Sequence, residues 1–242
     1  MKIAPMTTVD RVAPLDELFA QMARASLTHC RSVPELSARE QMFLNLLGHI
    51  CQSALGLPYE LHVRAALRTG LTTEDIRALL RLAGPEIGYS AALGALERLA
   101  EIVAAMDAPD HPAAGPLPSD LVTTGEDAPP SLLPERIRDH LRDLDPHFAD
   151  YVELQSRMRT PDGLGPLTAR ERAFTAISID IYQQTLGDAF RFHVDQALAA
   201  GASADDVRAV LRFNAQFGAT RVWQAWPALN ALLPHPRVTT GS

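Results

Sequence analysis

Cysteine is nearly absent from this sequence: Cys30 and Cys51 are the only two in 242 residues. Two are too few for a disulfide framework, so the fold must be held by packing. Long apolar runs are missing as well; no window reaches the ~18 uncharged apolar residues a membrane-crossing helix needs. Lysine and arginine do not cluster, and 22 of them against 29 acidic residues leave a formal charge of −7. A nucleic-acid groove or an anionic-membrane patch is therefore not expected. Asp10, Arg11, Asp16 and Glu17 interrupt the first thirty residues, which predicts no secretory leader and a cytoplasmic location. The eight histidines form no His-Glu-x-x-His or cysteine–histidine cluster, and no glycine-rich phosphate loop occurs. Neither a metal nor another cofactor is expected. Alternating runs of β-branched and aromatic residues are also lacking, which leaves an all-α fold.

What is present is a repeat. Leu36-Ser-Ala-Arg-Glu40 returns as Leu167-Thr-Ala-Arg-Glu171, a shift of 131 residues. The same shift carries Leu55-Gly56 onto Leu186-Gly187, His62-Val63 onto His193-Val194, Gly70 onto Gly201, and Asp75-Ile76-Arg77 onto Asp206-Val207-Arg208. A shift of 130 then carries Gly88 onto Gly218. Between the copies, Asp107 to Pro134 holds seven of the eighteen prolines and no sustained apolar period. Such a stretch cannot propagate a helix and reads as a linker. The division is a first helical repeat over 1–106, a proline-rich linker over 107–134 and a second repeat over 135–242.

Each copy reads as a series of helices. Leu15, Leu18, Phe19, Met22 and Ala23 share one helical face, and the counterpart begins near Pro146 with Phe148, Tyr151 and Val152. Ser37…Glu40 and Thr168…Glu171 have the capping-box form, followed in the first copy by a stripe of Met42, Phe43, Leu46, Leu47, Ile50 and Ala54. Pro58 suits the first turn of a third helix ending at Gly70, and Asp188 is predicted to cap its equivalent, which ends at Gly201. A fourth helix starts at Thr72 or Ser203, and a fifth follows Gly88 or Gly218.

The string Leu36-x-x-Arg39-Glu40, Leu55-Gly56, Glu60-Leu61-His62, Ala66-Leu67, Gly70-Leu71-Thr72 and Glu74-Asp75-Ile76 resembles the carboxymuconolactone decarboxylase family, whose relatives include the alkyl hydroperoxidase D proteins. The second copy repeats it with Leu167, Glu171, Leu186-Gly187, His193, Ala197-Leu198 and Gly201. The resemblance implies rings of six repeats, hence a homotrimer of a tandem chain. It implies a functional histidine at His62 and His193. In the peroxidase branch, two cysteines stand seven and four residues before that histidine; here the places hold Leu55 and Pro58, and Leu186 and Ala189. Without thiolates there, peroxide reduction is not expected.

Cofactor-free proton chemistry remains. Decarboxylation beside a carbonyl builds an enolate, and an imidazole can deliver the proton it needs. His62 and His193 are the catalytic candidates, each also readable as a buried, hydrogen-bonded core histidine. Glu40 and Glu171 are explained by capping, and Glu60–Arg64 and Arg191–Asp195 by ion pairs one helical turn apart. Asn45, His49 and Gln52 share a polar stripe on the second helix, matched by Ala176, Asp180 and Gln183. Within it His49 stands against Asp180, and Cys51 against Tyr182, so the two pockets are expected to have specialised. Trp223 and Trp226 could floor a pocket for a large apolar substrate, or simply fill core or interface. Cys51 reads equally as core filler. Three functions fit: a lyase of decarboxylase type acting on a carboxylated lactone or keto acid; a cyclase or isomerase of secondary metabolism on the same scaffold; and a non-catalytic ligand-binding or assembly protein.

Overall fold

The computed structural model describes residues 12–106, 109, 111, 115–159 and 165–233. Among these residues there are eleven α-helices and no strand. They are α1 Glu17–Arg31, α2 Ala38–Cys51, α3 Leu57–Arg68, α4 Thr73–Ile87, α5 Tyr89–Met106, α6 Glu135–Leu144, α7 Pro146–Met158, α8 Ala169–Gln183, α9 Asp188–Ala199, α10 Ala204–Asn214 and α11 Ala219–Leu232. The bounds of α3 and α9 are 131 residues apart at both ends.

Local chemistry sets these limits. Ser37 and Thr168 each accept a bond from the backbone of Glu40 and Glu171, whose carboxylates return to the cap amides. Thr72 and Ser203 make the same reciprocal caps with Asp75 and Asp206. At the ends of α3 and α9, Gly70 (φ 101°) and Gly201 (φ 87°) take left-handed conformations. There Leu71 N–H reaches the Ala66 carbonyl at 3.0 Å, and Ala202 N–H the Ala197 carbonyl at 3.0 Å. This closure satisfies the last carbonyls and needs glycine at the turning point. Asp188 does not cap α9. The cap is Gly187, Asp188 is already the first helical residue, and its exposed carboxylate pairs with Arg136 at 3.2 Å. Helix α6, strongly charged along its length, was not foreseen as a separate element before Pro146.

Helices α2 and α8 pack against each other at the centre, and each is buried on nearly every side. A helix covered all round has no polar face, which explains why neither shows a clean amphipathic stripe. The pair also exchanges core residues. Ile179 and Tyr182 of α8 join the core built by Phe43, Leu47, Tyr59, Leu79 and Leu99. Leu44 of α2 joins the core of Phe174, Phe190, Phe213 and Leu229. Crossed ion pairs reinforce the contact: Arg39 binds Glu171 and Asp75, both at 2.6 Å, and Arg170 binds Glu40 at 2.6 Å and Asp206 at 2.9 Å. Each guanidinium lies over a phenylalanine of its own helix, Phe43 or Phe174. The capping glutamates therefore have a second task, joining α2 to α8.

The proline-rich stretch contains two short 3-10 turns, Ser119–Val122 and Gly125–Asp127, and lies along α7, where Arg157 donates to the Thr123 carbonyl at 2.9 Å. No helix among the described residues is long and apolar enough to cross a membrane.

Candidate functional site

The two motif histidines have opposite surroundings. On α3, His62 Nδ1 lies 2.8 Å from His49 Nε2, and its Nε2 lies 3.0 Å from an Arg31 guanidinium nitrogen. Arginine can only donate, so Nε2 of His62 accepts and its Nδ1–H points at His49. Burial, the neighbouring His49 and the Arg31 charge together drive His62 down to about 3. Burial and Arg31 take His49 to about 4. Both rings are neutral at pH 7, with Phe217 set edge-on to His49. Phe217 comes from the short turn Ala215–Phe217, and its carbonyl accepts from Gln52 at 2.8 Å. Its ring comes so near α2 that a Cβ on Gly48 would fall 2.6 Å from it. Gln216 of the same turn accepts from Arg31 at 3.4 Å. Both nitrogens of His62 are thus engaged within the protein.

On α9, His193 Nδ1 lies 2.7 Å from Asp180 Oδ2, and Asp180 Oδ1 accepts from Thr185 at 2.7 Å. A carboxylate fixed by a hydroxyl holds the imidazole with its Nδ1–H inward and leaves Nε2 as the working nitrogen. Nε2 has no protein partner. His193 borders a cavity of about 450 Å³ whose wall also includes Phe192, Arg172, Arg159, Leu82 and Leu133. Arg159 pairs with Glu86. Arg172 donates to the Leu167 carbonyl at 2.5 Å and has no carboxylate within ion-pair distance. Burial lowers the Arg172 pKa from its ordinary value, the expected response of a cation short of counter-charge.

The other candidates fall elsewhere. Tyr182 is buried and donates to Asn214 Oδ1 at 2.6 Å, while Asn214 donates to Ser178 at 2.8 Å. That network braces α8 against α10. Cys51 packs against the first core, and burial raises its thiol to about 12, too high for a thiolate at neutral pH. Trp223 is 76% exposed, and Trp226 packs on the second core; neither borders the cavity at His193. Among the described residues no group of three or more histidine, cysteine or acidic side chains is placed to hold a metal. Arg31, Arg159, Arg172 and Thr185 escaped the sequence reading. Thr185 alone left a trace, since it faces Ala54 across the repeat, just as Asp180 faces His49.

With this geometry in view, comparison with known proteins is informative. Residues 149–231 match the carboxymuconolactone decarboxylase family, a span that contains Asp180, Thr185 and His193. The chain is carboxymuconolactone decarboxylase-like. Its fold is similar to a crystal structure from Burkholderia xenovorans LB400 named for a gamma-carboxymuconolactone decarboxylase subunit, with a TM-score of 0.51 and 20% identity over 95% of this chain and 91% of that one. No curated protein matches the sequence.

Proposed function

We propose that this decarboxylase-like chain is a cofactor-independent lyase whose working site is the Asp180–His193 dyad, acting on a carboxylated lactone or keto acid. The observation that carries this reading is the contrast at the two histidines. His193 has one nitrogen held by Asp180 at 2.7 Å and the other without a protein partner at a cavity, whereas both nitrogens of His62 are occupied. In the reaction, the bond to the departing CO₂ breaks and its electron pair passes into the adjacent carbonyl as an enolate. Arg172 is the positive charge available to the enolate oxygen. The enolate carbon then takes the proton from His193 Nε2, and water restores it. Asp180 keeps the ring oriented and balances its charge while it carries both protons. His62 has no proton to give at neutral pH and serves with His49, Arg31 and Phe217 to hold the halves together.

A cavity of about 450 Å³ is roomy for a small lactone, and this favours a bulkier substrate of the same chemistry, including one cyclised or isomerised through the same enolate. The 131-residue recurrence supports a tandem organisation of two repeats, 1–106 and 135–242, joined by the linker 107–134. Exposed Leu15, Leu18, Phe19 and Met22, with Phe148 and Tyr151 on α7, support burial between chains as a trimer.

The test is exchange and turnover on a panel of carboxylated lactones and β-keto acids in D₂O. His193→Asn is expected to lose about 10²–10⁴ in rate and in α-proton exchange. His62→Asn, if folded, keeps the parent rate. Equal loss in both variants, or parent activity in a folded His193→Asn, would overturn the assignment.

A further inference from the structure

A second polar cavity lies on the other side of the linker. It measures about 520 Å³ and sits between residues 124–131 and the α6–α7 hairpin. Arg138, Arg142 and Arg157 border it, together with Asp150, Glu153 and Ser131. Three guanidiniums against two carboxylates leave one positive charge in excess, and their pairing is uneven. Arg142 holds Glu153 at 3.1 Å, and that accounts for one acid. Arg157 is only 3% exposed, yet its one hydrogen bond is to the neutral Thr123 carbonyl at 2.9 Å. Its Nε is buried with no partner, as is Nε of Arg138. No carboxylate lies within ion-pair distance of either among the described residues.

A buried guanidinium without a counter-charge is costly, and buried polar atoms in folded proteins nearly always find partners. The groups facing this cavity suit an oxyanion. Guanidinium N–H groups point in parallel and match two oxygens of a phosphate or carboxylate, and the Ser131 hydroxyl can donate a further bond. We propose that this cavity binds a small molecule bearing an oxyanion, a phosphate or a carboxylate group, which neutralises Arg138 and Arg157 and fastens the linker to α6 and α7. The site is separate from the dyad at His193: Ser131 borders this cavity, while Leu132 and Leu133 border the other.

Thermal melts of the full chain at constant ionic strength test this, with inorganic phosphate, acetate or chloride as the anion. A specific anion at tenfold excess over its Kd should raise Tm by about 3–6 °C over chloride. A rise with phosphate alone identifies a phosphate group as the ligand chemistry, and an equal rise with acetate a carboxylate. Arg157→Met retains the apolar stem but not the charge, and Arg138→Gln changes a half-buried side chain on α6; both should abolish the rise. Because Arg138→Gln needs no repacking of the interior, it decides the matter even where Arg157→Met does not fold. Parent protein that melts identically in all three salts overturns the proposal, as does a rise that survives Arg138→Gln undiminished.

Discussion

Lowering the pH should loosen the contact around His49 and His62 well before the carboxylates titrate. In the folded chain burial holds these rings at about 4 and about 3, against an ordinary value of 6.5. The unfolded chain therefore binds protons first as pH falls. The stability contributed by keeping both rings neutral is fully present above pH 6.5 and is lost progressively toward their folded values. The linkage slope is about 1.4 kcal/mol per pH unit for each ring, so near pH 5 each has lost about 2 kcal/mol and the pair about 4 kcal/mol. That is a large share of the ~5–15 kcal/mol that stabilises a typical domain. Burial pushes Asp75 and Asp206 up, but hydrogen bonds from Arg39 and Arg170 outweigh it and hold both below 3.8. Their contribution is therefore lost only at lower pH, leaving the window between pH 6.5 and 5 to the histidines. Urea melts of the parent and of His49→Gln/His62→Gln across that window measure the effect. The parent's midpoint should fall steeply, while that of the double variant should start lower and stay nearly flat. Parallel slopes in the two proteins would refute the reasoning, since the buried rings would then be taking up protons as readily as in the unfolded chain.

Gly48→Ala should destabilise by about 1–3 kcal/mol despite alanine's better helix propensity, because the new methyl meets the Phe217 ring; Phe217→Leu in the same chain should recover much of that, read by urea melts as a double-mutant cycle. Light scattering at micromolar concentration should return the mass of three chains, and a monomer would remove the trimer; Leu18→Glu with Phe19→Lys on α1 should shift the mass downward.

Much of this protein is legible in its sequence because the signals are local. Ser37 and Glu40, Thr168 and Glu171, and the glycines at 70 and 201 fix helix ends through contacts within a few residues, so their spacing suffices to read them. The repeat needed only comparison of the chain with itself, and the divergence of Asp180 from His49 already pointed to two unlike sites. What spacing could not carry is who stands opposite whom. His62 and His193 occupy equivalent places on equivalent helices, and only the tertiary structure gives one an arginine and a histidine for partners and the other a carboxylate and a cavity. Arg31 reaches His62 from another helix, and Phe217 reaches Gly48 across 169 residues of chain. Trp223 and Trp226, three residues apart, divide between solvent and core according to what α11 packs against. The sequence by itself determined the helices, their caps and their duplication, because those depend on neighbours along the chain. The packing of α2 against α8, and with it which histidine is sealed and which is left open, was decided by contacts between residues distant in sequence, where burial and charge set the chemistry.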